Sequence, residues 1–151
     1  MRHLILIFTI GILTSIDVVA QVEYKIITSV ESIVSSGLGR SRLITTDEER
    51  NYQDFTSSRS EDRKEDKRNK ADRSEIRLKN FDETKLLNFF NIGGIRFQNI
   101  AANDAVVSSK LNSMVAEGWE LAFVTSGVEA DSGKGDAQGI FITRYIFKRN
   151  K

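Results

Sequence analysis

A change of hydrophobic period at Gly118, next to the only tryptophan, constrains the fold of this chain more than any other feature. Before this glycine, four apolar residues recur at the spacing of one helix face: Val107, Leu111, Met114 and Val115. The spacing predicts an amphipathic helix over residues 103–117. We expect Asn103 to be its N-cap, because the side-chain oxygen of asparagine can accept a hydrogen bond from an amide of the first turn.

From Trp119 onward the period becomes two, which is typical of a strand. Trp119, Leu121 and Phe123 should therefore lie on one face. Gly118 has no Cβ and should end the helix in the left-handed conformation, so that Trp119 folds back on Met114 in a Schellman-type contact. We interpret four residues as a structural anchor: Met114, Gly118, Trp119 and Leu121. Stacking of a ligand on Trp119 is the alternative.

The remaining periodicity predicts a sheet with short additions. Alternating residues predict a first strand over residues 22–32 and a second, returning as a hairpin, over residues 40–46. Residues 82–90 resemble a short capped helix ended by a pair of glycines, and a short extended piece should follow over residues 95–100. Residues 125–138, rich in glycine and aspartate, should form a long hairpin loop.

The last strand, predicted over residues 139–148, has two largely apolar faces. Its odd positions carry Phe141 and Phe147, and its even positions carry isoleucines. One helix covers only one face of an antiparallel sheet, so residues 81–100, a symmetry mate or a partner must cover the second face. We therefore expect an α+β fold, an antiparallel sheet of three to five strands packed on one main amphipathic helix.

The N-terminus has the order of features expected of a secretory signal peptide over residues 1–20. A basic start at Arg2 and His3 precedes an apolar run, and small residues ending at Ala20 favour cleavage before Gln21. We expect export to the periplasm or the extracellular space. The apolar run is short for a membrane span, so we expect no stable membrane insertion after cleavage. An uncleaved anchor or a buried strand of a cytoplasmic protein is the alternative.

The mature chain divides by composition into three parts. Residues 21–46 supply the first strand or hairpin of the domain, residues 47–79 are a charged insertion, and residues 80–151 are the remainder of the α+β domain. The insertion has almost no apolar side chain to bury, so it cannot offset an ordering cost of about 1–2 kcal/mol per residue. We predict that it is disordered, with a solvated helix as the alternative.

Residue usage excludes several kinds of chemistry. The chain has no cysteine, and its one histidine, His3, would leave with the signal peptide. Serine–histidine and cysteine–histidine nucleophiles are therefore excluded, as are conventional zinc, copper and haem sites, and we assign no catalytic residue, metal or cofactor. With 22 basic and 21 acidic residues, the chain has no charge excess that favours nucleic acid as a partner.

Two smaller sets of residues keep other functions open. A glycine-rich turn is followed by basic residues: Gly37, Gly39, Arg40 and Arg42, with Arg144 as a further cation. Glycines let a backbone approach closely and arginines supply charge, so this set is a candidate site for an anion or small ligand. Four carboxylates are available to a hydrolase that needs two of them: Glu117, Glu120, Glu129 and Asp131. The loop around Asp131 also has oxygen ligands suited to calcium, without the spacing of an EF-hand.

Three short motifs carry a resemblance. They are the opening Tyr24-Lys25-Ile26-Ile27, the central Glu117-Gly118-Trp119-Glu120-Leu121 and the closing Arg144-Tyr145-Ile146-Phe147-Lys148. With these motifs the chain resembles the small bacterial domain family of unknown function numbered 4177. The turn at residues 37–42 and the segment at residues 99–104, followed by the Trp119 motif, resemble uncharacterised exported proteins of Bacteroidetes-type bacteria. The resemblance implies a compact strand, helix, strand, strand domain and implies no activity. The long insertion after the first strand departs from the family pattern.

The leading functional prediction follows from the second apolar face. We expect an exported module that self-associates or binds another protein through an apolar sheet face or edge. The residue content favours a non-enzyme over an enzyme. Binding of an anion or small ligand is the alternative, and a hydrolase that uses carboxylates is the third hypothesis.

Overall fold

The computed structural model describes residues 21–32, 40–91, 93–129 and 139–151, so the predicted signal peptide lies outside the described residues. The elements in chain order are β1 (Val22–Ser32), β2 (Arg42–Thr45), a 3-10 turn (Tyr52–Phe55), α1 (Arg73–Ile76), β3 (Asp82–Lys85), β4 (Phe90–Asn91), β5 (Gly94–Ile95), α2 (Phe97–Ala116), β6 (Glu120–Glu129) and β7 (Ile140–Asn150).

Five of these strands form one antiparallel sheet in the order β3-β2-β1-β7-β6. β1 and β7 pair along their whole length, from Val22 opposite Asn150 to Ser32 opposite Ile140. With α2 as the main helix, the predicted α+β fold is confirmed, and β1 covers the predicted residues. β4 and β5 form a separate two-stranded hairpin.

The core lies between the sheet and α2. Its buried apolar residues are Ile27, Leu43, Leu86, Met114, Trp119 and Phe147. Opposite residues of antiparallel strands share a face, so Ile27 with Tyr145, and Lys25 with Phe147, belong to one face of the sheet. We call this face, which packs on α2, the inner face, and the opposite side the outer face.

α2 begins at Phe97, so the predicted start at Asn103 is wrong. Arg96 is the N-cap, and Asn103 lies inside the helix with 2% of its surface exposed. There its side chain bonds to backbone groups of Leu87 instead of to the first turn of its own helix. The sequence pattern suited an N-cap because asparagine uses the same polar atoms in both roles.

The end of α2 has the predicted Schellman geometry. Gly118 has a φ of 85°. Its amide donates to the carbonyl of Val115 at 3.0 Å, and the amide of Trp119 donates to the carbonyl of Met114 at 3.0 Å. These bonds satisfy carbonyls that the last helical turn leaves without partners. They also turn Trp119 back into the core, where 5% of its surface is exposed.

Gly118→Ala should lower the free energy of unfolding by about 1–2 kcal/mol, because an L side chain is strained in the left-handed conformation. Among the described residues, a Cβ at this position would meet the Cδ of Arg149 at 4.0 Å, so the cost is conformational and not a clash. Urea unfolding followed by circular dichroism measures the difference. Gly127→Ala is the matched control, since Gly127 has no positive φ and no described atom near an added Cβ. If Gly127→Ala lowered the free energy of unfolding as much as Gly118→Ala, the left-handed conformation of Gly118 would not be the cause of the loss.

The helix predicted over residues 82–90 is wrong. The first of these residues form β3, which pairs along β2, and Phe90 pairs with Ile95 in the β4–β5 hairpin. The apolar spacing of the segment suits a helix face, but β2 offers a strand neighbour, and tertiary pairing overrides a local preference. Gly94 lies in the hairpin with a φ of 96°. The extended piece predicted over residues 95–100 is also wrong from Phe97 onward, where α2 begins.

β6 contains an irregularity that the alternation of residues did not predict. Leu121 lies opposite Phe147, whereas Phe123 lies opposite Ile146, so the register shifts between Leu121 and Phe123. Such a bulge adds a residue and reverses the faces that follow it. Leu121 therefore belongs to the inner face and Phe123 to the outer face, and their predicted common face is wrong. β6 also continues to Glu129, so the predicted loop begins later than expected.

The charged insertion at residues 47–79 is held by local contacts. It contains the 3-10 turn, an isolated bridge between Ser58 and Lys67, and α1, in which the side chain of Glu75 accepts from the backbone amide of Asp72 at 2.9 Å. Neither helical turn has a buried residue. The disorder predicted for this insertion stays a prediction.

Candidate functional site

The outer face of the sheet carries exposed apolar side chains in rows that cross the strands. The row through Ile26 of β1 continues to Ile146 of β7 and Phe123 of β6. Ile26 is 49% exposed and Phe123 is 66% exposed. Tyr24, on the same face of β1, is 62% exposed. A monomer that leaves neighbouring large apolar side chains in water has a surface suited to a partner.

The segment between β3 and α2 does not cover this face. Phe89 contacts Phe141 edge to face, with ring centroids 5.6 Å apart. Phe141 lies opposite Glu31 on the inner face, and Leu86 is part of the core under α2. The segment therefore extends the inner layer, and the prediction that residues 81–100 could cover the second face is wrong. Of the three possible covers predicted for the second face, a symmetry mate and another partner stay predictions.

Arg144 lies in the middle of the outer face. It stands between Thr28 of β1 and Thr125 of β6, one row from Ile146 and one row from Ile142. Its side chain is exposed and has no ion pair among the described residues. Lys148, on the same strand and face, pairs with Glu120 at 3.3 Å. Arg144 is therefore a cation with apolar neighbours and free donors, a combination that suits recognition of a carboxylate.

The predicted anion site is only partly within the described residues. Gly37 and Gly39 lie outside them, and Arg40 is exposed. Arg42 lies on the outer face, where its Nε is 3.6 Å from a carboxylate oxygen of Glu83 and its Nη1 donates to the carbonyl of Ser41 at 2.7 Å. Arg42 and Arg144 share the outer face, but β1 separates their strands. The structure thus places these two cations apart, with Arg42 already engaged.

The carboxylates considered for hydrolysis do not converge. Glu117 is the C-cap of α2, Glu120 lies on the outer face beside Lys148, and Glu129 ends β6. Asp131 lies outside the described residues, as does the loop considered for calcium except Glu129. Within the described ranges, no group of three or more histidine, cysteine, aspartate or glutamate residues is placed to hold a metal ion.

A cleft of about 820 Å³ lies beside the first half of β1, where β2 has ended. Trp119 lines this cleft, and the guanidinium of Arg149 sits 4.2 Å from the centroid of its ring. Arg149 also pairs with Glu23 at 3.0 Å, and Lys25 forms an ion pair with Asp47. The hydrogen bond and the charge of Lys25 lower the pKa of Asp47. These four charged side chains of the cleft are thus paired with one another.

The buried state of Trp119 favours the anchoring interpretation over ligand stacking. Met114, in the last turn of α2, is also buried. The guanidinium of Arg149 covers one face of the indole. Leu121, another member of the predicted anchor, is 39% exposed. A ligand that stacked on the face under Arg149 would have to displace this guanidinium and break its pair with Glu23.

Two features of the site were missed from the sequence. The bulge in β6 brings Phe123 to the outer face, and no residue type in this stretch marks the bulge. Asn103 joins α2 to the segment before it and to β1, since its Nδ2 donates to Glu31 at 2.9 Å and to the carbonyl of Leu87 at 2.8 Å. The available signal was that asparagine occupies a position on the apolar side of the helix, but the sequence pattern predicts this residue to be the N-cap.

Comparison with protein-family models, with curated proteins and with solved structures gives no match to this chain. Among the described residues, no helix has the length and apolar character needed to cross a membrane.

Proposed function

We propose that this chain is an exported, non-catalytic module that binds another protein through the outer face of its sheet. The partner has an apolar surface with a carboxylate that reaches Arg144. One observation carries the proposal: the row from Ile26 through Ile146 to Phe123 exposes Ile26 and Phe123 beside Arg144, which has no ion pair among the described residues. The predicted signal peptide supports export.

The composition of the outer face favours a protein partner. Tyrosine, arginine and other large side chains supply much of the binding energy at protein interfaces, where they are surrounded by contacts that exclude water. Complete burial of a side chain such as Phe123 would contribute about 1.5–3 kcal/mol. A sheet face is also open, whereas sites for small molecules are usually concave. The exposed face therefore supports a protein surface over a small ligand.

The proposal is tested by site-specific crosslinking in the cells that make the protein. A photoreactive phenylalanine analogue replaces Ile26 on the outer face or, as the matched control, Ser109 on the exposed side of α2. Illumination of the full-length chain should give a discrete crosslinked product from position 26 and little from position 109. Equal products from both positions, or none from position 26, would contradict the proposal.

Arg144→Glu should weaken binding of the crosslinked partner by a factor of about 10 or more, because a carboxylate would then face a carboxylate. The variant should keep its unfolding free energy within about 0.5 kcal/mol of wild type, since Arg144 is exposed. Titration calorimetry with the purified partner measures the affinity. Lys85→Glu is the control, because Lys85 is an exposed cation in β3, on the far edge of the sheet. An equal loss of affinity in both variants would show a general charge effect and not a contact of Arg144.

A further inference from the structure

The two edges of the five-stranded sheet differ in kind. β3 forms one edge with four residues, and three of them are charged: Asp82, Glu83 and Lys85. β6 forms the other edge with ten residues and has charges only at its ends, Glu120 and Glu129. Proteins protect exposed edges with short strands, charged side chains or proline. In the described sheet, β3 has such protection and the interior of β6 does not.

β6 is also exposed along almost its whole length. β7 is its neighbour on one side, and none of the described strands pairs with the other side. Both faces of the strand present apolar groups there: Phe123 on the outer face is 66% exposed, and Val124 and Val128 on the inner face are 54% and 59% exposed. Backbone groups and apolar side chains at this edge are thus available to a further antiparallel strand.

We propose that a second copy of this chain supplies that strand, and that the two β6 strands pair antiparallel about a twofold axis at Thr125. Two copies suit each other because the uncharged interior of β6 then meets an identical uncharged interior. Over residues 123–127, where β6 has no bulge, this register places no charged residues opposite each other. The result is a ten-stranded sheet, twice the five strands of one copy.

The register at Thr125 follows from the shape of the edge. It places Phe123 of each copy opposite Gly127 of the other, and both residues lie on the outer face. Among the described residues, no atom lies within 4 Å of a Cβ built on Gly127, so this glycine leaves room for an aromatic ring. An aromatic side chain over a cross-strand glycine is a known way to stabilise such a position.

This dimer concerns an edge and does not depend on the proposed binding by the outer face. A twofold axis perpendicular to the sheet keeps both outer faces on the same side. The two rows that contain Phe123 would therefore lie next to each other across the new pairing. Dimerisation would extend the outer face without covering it.

The absence of cysteine makes the pairing directly testable in the full chain. At a twofold axis the two copies of Thr125 lie opposite each other, with Cα atoms about 4.5–5.5 Å apart, a separation that a disulfide spans. Thr125→Cys should therefore give mostly covalent dimer under mild oxidation. Thr84→Cys, in the charged edge strand β3, is the matched control and should stay mostly monomeric. Val124→Cys should give several-fold less dimer than Thr125→Cys, since the two copies of residue 124 do not lie directly opposite each other.

A covalent dimer from Thr125→Cys no more abundant than that from Thr84→Cys overturns the proposal, and a maximum at Val124 overturns the register.

Sedimentation equilibrium of the wild-type chain gives an independent measurement. Thr125→Lys should raise its dimer dissociation constant by a factor of at least about 10, because two lysines would meet at the axis. A wild-type chain that is monomeric at about 100 μM, where a micromolar dimer would be largely formed, also overturns the proposal. Crosslinking from position 26 to a different protein would still occur in that case, so failure of the dimer and failure of the proposed function are distinguishable.

Discussion

Trp119→Ala should lower the free energy of unfolding by about 3–5 kcal/mol, the range found when large buried aromatic residues are truncated. The indole is 5% exposed and belongs to the core with Met114 and Phe147, both fully buried. Its removal would leave a cavity at the helix end and would take away the ring under Arg149, whose guanidinium lies 4.2 Å from the indole centroid. A domain stable by about 5–15 kcal/mol would then be close to unfolding.

Phe123→Ala is the matched control for this prediction. It also removes an aromatic residue from the chain after α2, but from an outer-face position that is 66% exposed. At a protein concentration low enough to keep the chain monomeric, its unfolding free energy should therefore stay within about 0.5 kcal/mol of wild type. Urea unfolding followed by far-UV circular dichroism suits both variants, since it needs no tryptophan signal. A similar loss in both would mean that Trp119 is not the buried anchor of the helix end.

The parts of the fold that local chemistry determines were predictable. β1 spans the predicted residues because alternation of polar and apolar side chains continues through the whole strand. The Schellman end at Gly118 was predictable because its three requirements are adjacent in the sequence: an apolar helix face, a glycine and a large apolar residue. Neither feature needs a distant partner, so each could be inferred from the residues that form it.

The errors occur where a distant segment decides the local structure. Residues 82–90 have helical spacing, and their actual state depends on β2 as a neighbour, which lies far away in the sequence. Asn103 suited a helix cap, and its actual role depends on the backbone of Leu87 and the side chain of Glu31. The bulge near Phe123 depends on pairing with β7. Sequence periodicity contains none of this information about neighbours.

The candidate site follows the same division. Two apolar faces of the last strand predicted a sheet with more apolar surface than one helix can cover, and that expectation is the basis of the outer face. Which segment packs on which side was not predictable, because it depends on the contact between Phe89 and Phe141. The position of Arg144 between Thr28 and Thr125 likewise requires the register of three strands. The apolar pattern of the last strand thus indicated an exposed surface, and the pairing of the strands in the structure identified the residues of that surface.

Asn103→Ala should lower the free energy of unfolding by about 2–4 kcal/mol, because it leaves buried polar groups without partners. The side chain of Asn103 is 2% exposed. Its Oδ1 accepts from the amide of Leu87 at 2.7 Å, and its Nδ2 donates to the carbonyl of Leu87 at 2.8 Å and to Glu31 at 2.9 Å. One side chain therefore joins α2 to the preceding segment and to β1. Alanine fits the helix itself, so lost helix propensity does not explain the expected change.

Hydrogen exchange separates this role from a general effect of truncation. In Asn103→Ala the amide of Leu87 should lose protection more than the amides of β7, because its hydrogen-bond acceptor is removed while the central strands stay paired. Asn112→Ala, an exposed asparagine on the same helix, is the control and should change stability by less than about 0.5 kcal/mol. Asn103→Asp should be destabilising as well, since it keeps an acceptor for the Leu87 amide but places a carboxylate against Glu31. Unchanged protection at Leu87 in Asn103→Ala would show that the side chain does not hold the segment, and the inner layer beside Phe141 would then need another explanation.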